Sequence, residues 1–208
     1  MITYEIMKKT ELKQCALLAS KSFYDYDYFS IWFPEVRRRR RFLDALVRCE
    51  FKANSKLEDA NFFVAKEDGR ILAVAQLCAP GFKKPDDMTY VLSGWFKAQF
   101  RGGTKAVNEW REIEAAASAP CHELTGKNWY ISLLSVDDGA RGKGIGSKFL
   151  NDYLIPYVKQ NGAESLSLFT NSEINCRFYT KNGFELFDEK TFEHNGRTLG
   201  SWSFILKF

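Results

Sequence analysis

The segment from residue 128 to 170 constrains the fold of this 208-residue chain more than any other. It begins with an apolar run, WYISLLSV (129–136), which is typical of a buried strand. A glycine-rich turn follows, then a stretch with helical spacing over 145–160, and then a second strand-like run over 165–170. A strand, a helix and a strand in this order predict a crossover unit whose two strands are parallel.

The rest of the chain predicts further strands and helices around this unit. Strand-like runs occur at 2–7, 61–67 and 71–78, and 184–191 with 199–208 form a hairpin. Helices are expected from Thr10 to about Ser22, after Pro34–Glu35, over 88–100 and 104–118, and over 174–181. Pro156 should bend the helix over 145–160 near its end. These elements predict an α/β or α+β protein with a mixed sheet and helices on its faces.

Length and composition predict one globular domain over residues 1–208. The apolar fraction of 45% is ordinary for a folded protein. The N-terminus has no apolar signal segment, and no apolar run approaches the roughly 20 residues that cross a bilayer. We therefore expect a cytoplasmic protein without a membrane partner.

The cysteines and histidines argue against a metal centre. Five cysteines are scattered without a CxxC pair, and an odd number without a secretion signal predicts free thiols. Only Cys121–His122 places two kinds of metal ligand together. We expect no metal in this protein.

The five consecutive arginines from Arg37 to Arg41 carry the positive charge of the chain. Removing them from the net charge of +4 leaves −1. Such a run can bind nucleic acid. However, apolar residues follow it at helical spacing, so we expect a helix with the arginines mostly on its solvated side and no nucleic-acid partner.

The glycine-rich turn has the features of a phosphate-binding loop. Four glycines lie between a strand and a helix at positions 139, 142, 144 and 146. Glycine allows a ligand to approach main-chain N–H groups, and the first N–H groups of a helix lack internal partners. Arg141 and Lys143 add positive charge. The order of residues fits neither a Walker A loop nor the dinucleotide fingerprint.

The remaining pattern, R-x-x-G-x-G at Arg141, Gly144 and Gly146, resembles the pyrophosphate loop of the GCN5-related N-acetyltransferase (GNAT) superfamily. A second segment, TNSEINCRFYTKNGFEL (170–186), resembles the asparagine-and-tyrosine helix of the same family. The likeness is close over about 128–190 and is greatest to puromycin-acetyltransferase-type members. It departs at 138–140, where Asp-Gly-Ala replaces the commoner proline, acid and aromatic.

The resemblance implies a GNAT-like fold with a mostly antiparallel, twisted sheet of six to seven strands and one parallel βαβ pair at the cofactor site. It implies a cofactor-binding half over about 128–190 and a substrate side from about 20–35 and 80–127. Asn175 would hydrogen-bond the cofactor, and Tyr179 would act as general acid beside its sulfur. The cofactor-binding residues would be Leu134, Ser135, Val136, Arg141, Gly142, Lys143, Gly144, Ile145, Gly146, Ser147 and Asn175.

The activity implied is transfer of an acetyl group from acetyl-CoA (coenzyme A as co-substrate) to a primary amine of a small molecule, by direct attack in a ternary complex. Two alternatives stay open: a non-catalytic acyl-CoA-binding regulatory module, and acetylation of a protein or peptide amine. His122, Glu123 and Tyr130 are candidates for the general base, and no spacing distinguishes them. The acceptor, the acyl-chain preference and the oligomeric state, monomer or homodimer, stay open as well.

Overall fold

The computed structural model describes all 208 residues and places seven strands in one sheet, in the order β1-β2-β3-β4-β5-β7-β6. The strands are β1 (Ile2–Ile6), β2 (Ala60–Glu67), β3 (Arg70–Cys78), β4 (Asn128–Val136), β5 (Ser165–Thr170), β6 (Glu185–His194) and β7 (Arg197–Lys207). Only β4 and β5 are parallel, and every other neighbouring pair is antiparallel. The predicted mixed, mostly antiparallel sheet with one parallel pair is confirmed.

Nine α-helices surround the sheet. They are α1 (Leu12–Ser22), α2 (Asp27–Trp32), α3 (Val36–Asn54), α4 (Asp87–Ser93), α5 (Trp95–Gly102), α6 (Thr104–His122), α7 (Ile145–Phe149), α8 (Ile155–Gln160) and α9 (Glu173–Lys181). A π-helical turn, Leu150–Leu154, joins α7 to α8, and two short 3₁₀ turns cover Lys9–Glu11 and Asp138–Ala140. None of the helices is both long enough and apolar enough to cross a membrane.

Both faces of the sheet are covered. On one face the buried residues of β2–β5 pack against α7 and α8, with Phe149, Leu150 and Leu154 fully buried. On the other face α1 and α3 pack on β2 and β3. A separate aromatic-rich cluster, which includes Trp32, Phe42 and Trp110, joins α2, α3, α5 and α6 beside that face. The predicted placement of helices on both faces is confirmed.

A β-bulge at Ser132 changes which residues of β4 face each side. Opposite Gln76 and Leu77 of β3, β4 presents Leu133 and Ile131, so Ser132 is the extra residue. Before the bulge, the odd-numbered Trp129 and Ile131 face the α7–α8 side, whereas after it Leu134 and Val136 do. A bulge re-aims side chains in this way. The bulge therefore turns Leu133 toward the α1–α3 side.

Three helix boundaries differ from the prediction. The helix expected over 88–100 is interrupted at Gly94, whose φ of +115° ends α4. The helix expected to stop at 118 continues to His122 with Pro120 inside it. Thr10 does not cap α1, because it lies within a 3₁₀ turn whose Glu11 carboxylate accepts the N–H of Lys8 at 2.9 Å.

Pro156 acts on its helix through the turn that precedes it. The π-helical turn, Leu150–Leu154, ends directly before α8, which carries Pro156 in its first turn. Proline has no N–H to donate four residues back, and a π turn accommodates such an interruption without ending the helix. The irregular turn thus lies near the middle of the helix, whereas the sequence predicted an effect of Pro156 near its end.

The arginine run forms the first two turns of α3. Glu35 caps this helix, since its carboxylate accepts the N–H groups of Arg37 and Arg38, both at 2.7 Å. Four of the five arginines are exposed, as expected. Arg39 is the exception: it is buried and donates to the main-chain carbonyls of Tyr24, Phe33 and Pro34.

Candidate active site

The parallel strands β4 and β5 part after a short common stretch. They pair only from Asn128 to Tyr130 on β4 and from Ser165 to Ser167 on β5. Beyond Tyr130, β4 stays paired with β3 as far as Val136, while β5 stays paired with β7. The edge of β4 that faces β5 is therefore open over residues 131–136.

The main-chain groups of Leu134 and Val136 lie on this open edge. Asp137 donates its N–H to Leu72 of β3 at 2.8 Å, and main-chain groups alternate in direction along a strand. Those of Leu134 and Val136 consequently point away from β3, and the carbonyl of Val136 accepts from Arg141 Nε at 3.4 Å. The main-chain groups of Ser135 point toward β3. Its side-chain hydroxyl lies 2.9 Å from the hydroxyl of Ser22 on α1.

The glycine-rich loop after β4 exposes a run of unpaired N–H groups. Gly142 and Gly144 have φ values of +74° and +75°, which other residues adopt at a cost. None of the main-chain N–H groups from Gly142 to Ser147 donates to another part of the protein. Several convergent N–H donors at a helix start form a cradle for an anion.

The side chains of the loop hold its shape and leave its charge exposed. Arg141 pairs with Asp138 at 3.1 Å, and Lys143 Nζ donates to the carbonyl of Gly139 at 2.9 Å. Both basic side chains are exposed, whereas Ile145 is buried in the core. The loop therefore places two cations next to its free N–H groups.

The first turn of α7 lies tightly against β4 and α9. A Cβ on Gly146 would come within 3.4 Å of Val136 Cγ2 and 3.5 Å of the Phe178 ring. The hydroxyl of Ser147 accepts from Asn182 Nδ2 at 3.2 Å. A Cβ at position 146 would therefore make ordinary van der Waals contacts, so packing within the protein leaves room for it.

Helix α9 is tied to the segment before α2 by a small polar network. Asn175 Nδ2 donates to Thr170 Oγ1 at 3.1 Å, and that hydroxyl lies 3.1 Å from the hydroxyl of Tyr26. The Tyr26 hydroxyl also accepts the N–H of Asn171 at 2.9 Å. The network joins the end of β5 and the first turn of α9 to the α1–α2 connection.

Tyr179 combines a packed ring with an unpaired hydroxyl. The residue is buried, and its ring contacts those of Phe178, Phe184 and Phe204. Its hydroxyl makes no hydrogen bond within the protein. Burial, with a smaller effect from Tyr26, raises the pKa of Tyr179 well above its usual range. The phenol is therefore protonated at neutral pH and able to donate.

A cavity of about 460 Å³ lies on the α3 side of the sheet and reaches β4 at Ser132 and Leu133. It is lined mainly by apolar and aromatic side chains. They come from the α1–α2 connection (Phe23), from α2 (Phe29), from α3, from the segment 82–95 and from α6 (Trp110). A cavity of this size and lining is typical of a small-molecule site.

The cavity contains the carboxylate of Glu50, which belongs to none of the sequence motifs. Glu50 of α3 is half-buried, and its carboxylate accepts from Tyr90 Oη and Asn54 Nδ2, both at 3.1 Å. Burial raises the pKa of Glu50. One sequence signal was available: Glu50 follows Leu46 by four residues and Val47 by three, so it lies on the apolar stripe of its helix.

The three residues considered as general base lie outside this cavity. Tyr130 is buried against Cys78 and Cys121, and the ring of His122 lies 4.7 Å from that of Tyr130. Burial lowers the pKa of His122, which favours its neutral form. Glu123 is exposed beyond the end of α6.

Neither the cysteines nor the acidic residues form a further centre. Cys176 of α9 is partly buried, and burial raises the pKa of its thiol, so it lacks the thiolate character of a nucleophile. The structure brings together no group of three or more His, Cys, Asp or Glu side chains in a geometry that could hold a metal.

A glycine-rich loop with free N–H groups, an opened strand edge and a side cavity together form a site that can hold a phosphate-bearing ligand next to a small molecule. The chain belongs to the acetyltransferase (GNAT) family, whose family model matches residues 25–184. The predicted enzyme class and the resemblance seen in the sequence are both confirmed. A search of curated protein sequences gave no match.

Solved acetyltransferase structures share this fold at low sequence identity. Agmatine N-acetyltransferase is similar with a TM-score of 0.64 at 13% identity, over 100% of both chains. The polyamine N-acetyltransferase of Drosophila melanogaster has a TM-score of 0.61 at 15% identity, also over 100% of both. An N-acetyltransferase from Staphylococcus aureus Mu50 has a TM-score of 0.55 at 19% identity, over 100% of this chain and 98% of the other.

Proposed function

We propose that the protein transfers an acetyl group from acetyl-CoA to the primary amine of a small molecule, by direct attack within a ternary complex. The observation that carries this proposal is the open edge of β4, which has the glycine-rich loop at its end and the cavity beside its bulge. Donor and acceptor can thus meet along one strand. The division into a cofactor half (128–190) and a substrate side (20–35 and 80–127) belongs to the same proposal.

The residues of the loop and of β4 fit two parts of coenzyme A, its diphosphate and its pantetheine arm. The free N–H groups from Gly142 to Ser147, with Arg141 and Lys143 beside them, suit its diphosphate. The main-chain groups of Leu134 and the N–H of Val136, which point away from β3, suit its amide-containing arm, which can pair with them as a strand would. Asn175 still has an amide hydrogen to donate on the α9 side.

Acetyl-CoA supplies an activated acyl group as a thioester, and the chain must orient it and manage protons. In this proposal Tyr179 donates a hydrogen bond toward the departing sulfur, since its hydroxyl has no competing partner. A phenol with a raised pKa is a weaker acid than a thiol of pKa ~8.5. Its contribution is therefore stabilisation of the developing thiolate charge by hydrogen bonding rather than complete proton transfer.

The cavity supports a small acceptor rather than a protein. It lies between α3, α4 and α6, which enclose a volume suited to one small molecule. Two of the similar structures are named for agmatine and polyamine acetylation, which is consistent with an amine acceptor. A peptide acceptor would require an extended groove open at both ends.

Thiol release with acetyl-CoA, measured against a panel of small amines, polyamines and peptide N-termini, tests the proposal. We expect turnover with at least one small amine and none with the peptides. Calorimetry with coenzyme A tests the loop separately. Tight coenzyme A binding without turnover on any amine would favour the regulatory module, and absence of coenzyme A binding by folded protein would overturn the assignment.

A further inference from the structure

Glu50, near the C-terminal end of α3, is one of three carboxylates that line the cavity, with Asp87 and Glu114. Its Oε2 accepts from Tyr90 Oη and from Asn54 Nδ2, both at 3.1 Å. Its second oxygen, Oε1, has no hydrogen-bond partner within the protein. Two neutral donors therefore hold the carboxylate in place, and its remaining oxygen is available to a ligand.

The other charged side chains of the cavity are exposed or already paired. Glu114 forms an ion pair with Lys84 at 3.2 Å, and the guanidinium of Arg111 lies 5.0 Å from the centre of the Trp95 ring. Asp87 is exposed in the first turn of α4. No lysine or arginine lies within salt-bridge distance of Glu50. A half-buried carboxylate without a cation is unfavourable, and a cationic ligand would relieve it.

The walls around Glu50 are aromatic. Seven of the 19 lining residues are Phe, Tyr or Trp, including Phe29, Tyr90 and Trp110. Aromatic walls bind an apolar body, and their faces also attract a positive charge. The site therefore favours a ligand that carries a positive charge on an apolar body. A neutral apolar ligand would leave Glu50 without a cation, and a small polar cation would not contact the aromatic side chains.

We propose that Glu50 binds the ammonium group of the acceptor, and that the acceptor is a primary amine with an apolar body that contacts the aromatic walls. This inference rests on the proposed function and narrows its substrate class. Glu50 acts here as a specificity residue that recruits and positions the protonated amine, which releases a proton to water in the open cavity before it attacks the thioester. Lys84 and Glu114 pair with each other and act on Glu50 through their charges.

The test compares two probes of equal shape, 2-phenylethylamine and its neutral analogue 2-phenylethanol. Binding is measured by calorimetry with coenzyme A present, so that no turnover occurs. We expect the wild-type protein to bind the amine about 30-fold more tightly than the alcohol, the usual range for a charge-assisted hydrogen bond. Glu50→Gln should bring this ratio close to one, since it removes the charge and keeps an acceptor for Tyr90.

Two variants control the experiment. Asp87→Asn removes an exposed carboxylate from the same cavity and leaves the Lys84–Glu114 pair intact, so the amine preference should persist. Glu50→Asp keeps the charge on a shorter side chain and should restore part of the preference. In turnover, Glu50→Gln should raise KM for the amine by a similar factor and leave kcat within about threefold.

An unchanged amine preference in folded Glu50→Gln, or an equal loss in Asp87→Asn, would overturn this inference. So would a large loss of kcat with an unchanged KM, which would assign Glu50 to the chemical step. The proposed function can fail separately. If amine binding depended on Glu50 but no amine were acetylated, the amine site would stand and the proposed acetyltransferase function would be wrong.

Discussion

At the scale of single residues, the hydroxyl and the ring of Tyr179 have different roles. The ring packs in the core, whereas the hydroxyl has no partner in the protein. We therefore expect Tyr179→Phe to lower kcat by ~10²-fold, within the range for acid catalysis, while stability and coenzyme A affinity stay close to wild type. Steady-state kinetics, thermal unfolding and calorimetry measure the three quantities. Unchanged kcat would remove Tyr179 from the mechanism.

The charge state of Glu50 predicts a pH dependence of acceptor binding. Burial raises its pKa, against opposing effects of the Tyr90 hydrogen bond and of Lys84, while Glu114 adds to the rise. Only the ionised carboxylate attracts an ammonium group, so KM for a cationic amine should increase as the pH falls through this raised pKa. The increase should begin at a higher pH than an ordinary glutamate (~4.3) would give.

A pH profile of KM between pH 5 and 8 checks this expectation. Glu50→Gln is the control, because without a titrating group at position 50 the acidic rise in KM should disappear. A profile shared by both proteins would show that another group causes it.

At the scale of elements, the conformation of the loop before α7 depends on glycine. Gly144 has a φ of +75° and open space where a Cβ would lie. Gly144→Ala should therefore destabilise the protein by only about 1 kcal/mol, the usual cost of a left-handed alanine. The added methyl group would, however, lie among the N–H groups that we assign to the diphosphate. We expect coenzyme A affinity to fall at least ~10-fold.

The β6–β7 turn offers a matched control for this substitution. Gly196 has a φ of +73° and also has open space around the position of a Cβ. Gly196→Ala should cause a similar loss of stability and leave coenzyme A affinity unchanged. Equal affinity losses in the two variants, compared by calorimetry and urea unfolding, would show a global effect rather than a role of the loop.

At the scale of the whole molecule, Arg39 connects the arginine-rich helix to the segment before it. Its guanidinium donates to the carbonyls of Tyr24 at 2.8 Å, of Phe33 at 2.9 Å and of Pro34 at 3.3 Å. Removing a buried charged donor leaves carbonyl groups unpaired. Arg39→Ala should therefore lower the free energy of unfolding by about 3 kcal/mol.

Arg41 is exposed and serves as the comparison within the same run. Arg41→Ala should change stability by no more than about 0.5 kcal/mol. Urea unfolding of both variants checks the contrast. Equal effects would mean that the position of Arg39 under the α1–α2 connection is not what stabilises the fold.

Much of the secondary structure and the phosphate-binding loop could be predicted from short stretches of sequence. The β4–α7–β5 crossover, the hairpin of 184–191 with 199–208 and the glycine-rich loop all depend on residues close together in the chain. Periodicity, glycine at positive φ and helix starts are local properties, so a single sequence shows them. The same locality explains why the family signatures at Arg141–Ser147 and Asn175–Tyr179 were visible before the structure.

The acceptor cavity, the open edge of β4 and the burial of Arg39 were decided only by the tertiary structure. Tyr90 reaches Glu50 across 40 residues of sequence, and Tyr26 meets Thr170 across 144. Whether a glutamate on an apolar stripe or one arginine among five becomes buried depends on which elements pack against it. Such contacts arise between segments distant in the chain, and no local pattern encodes their geometry.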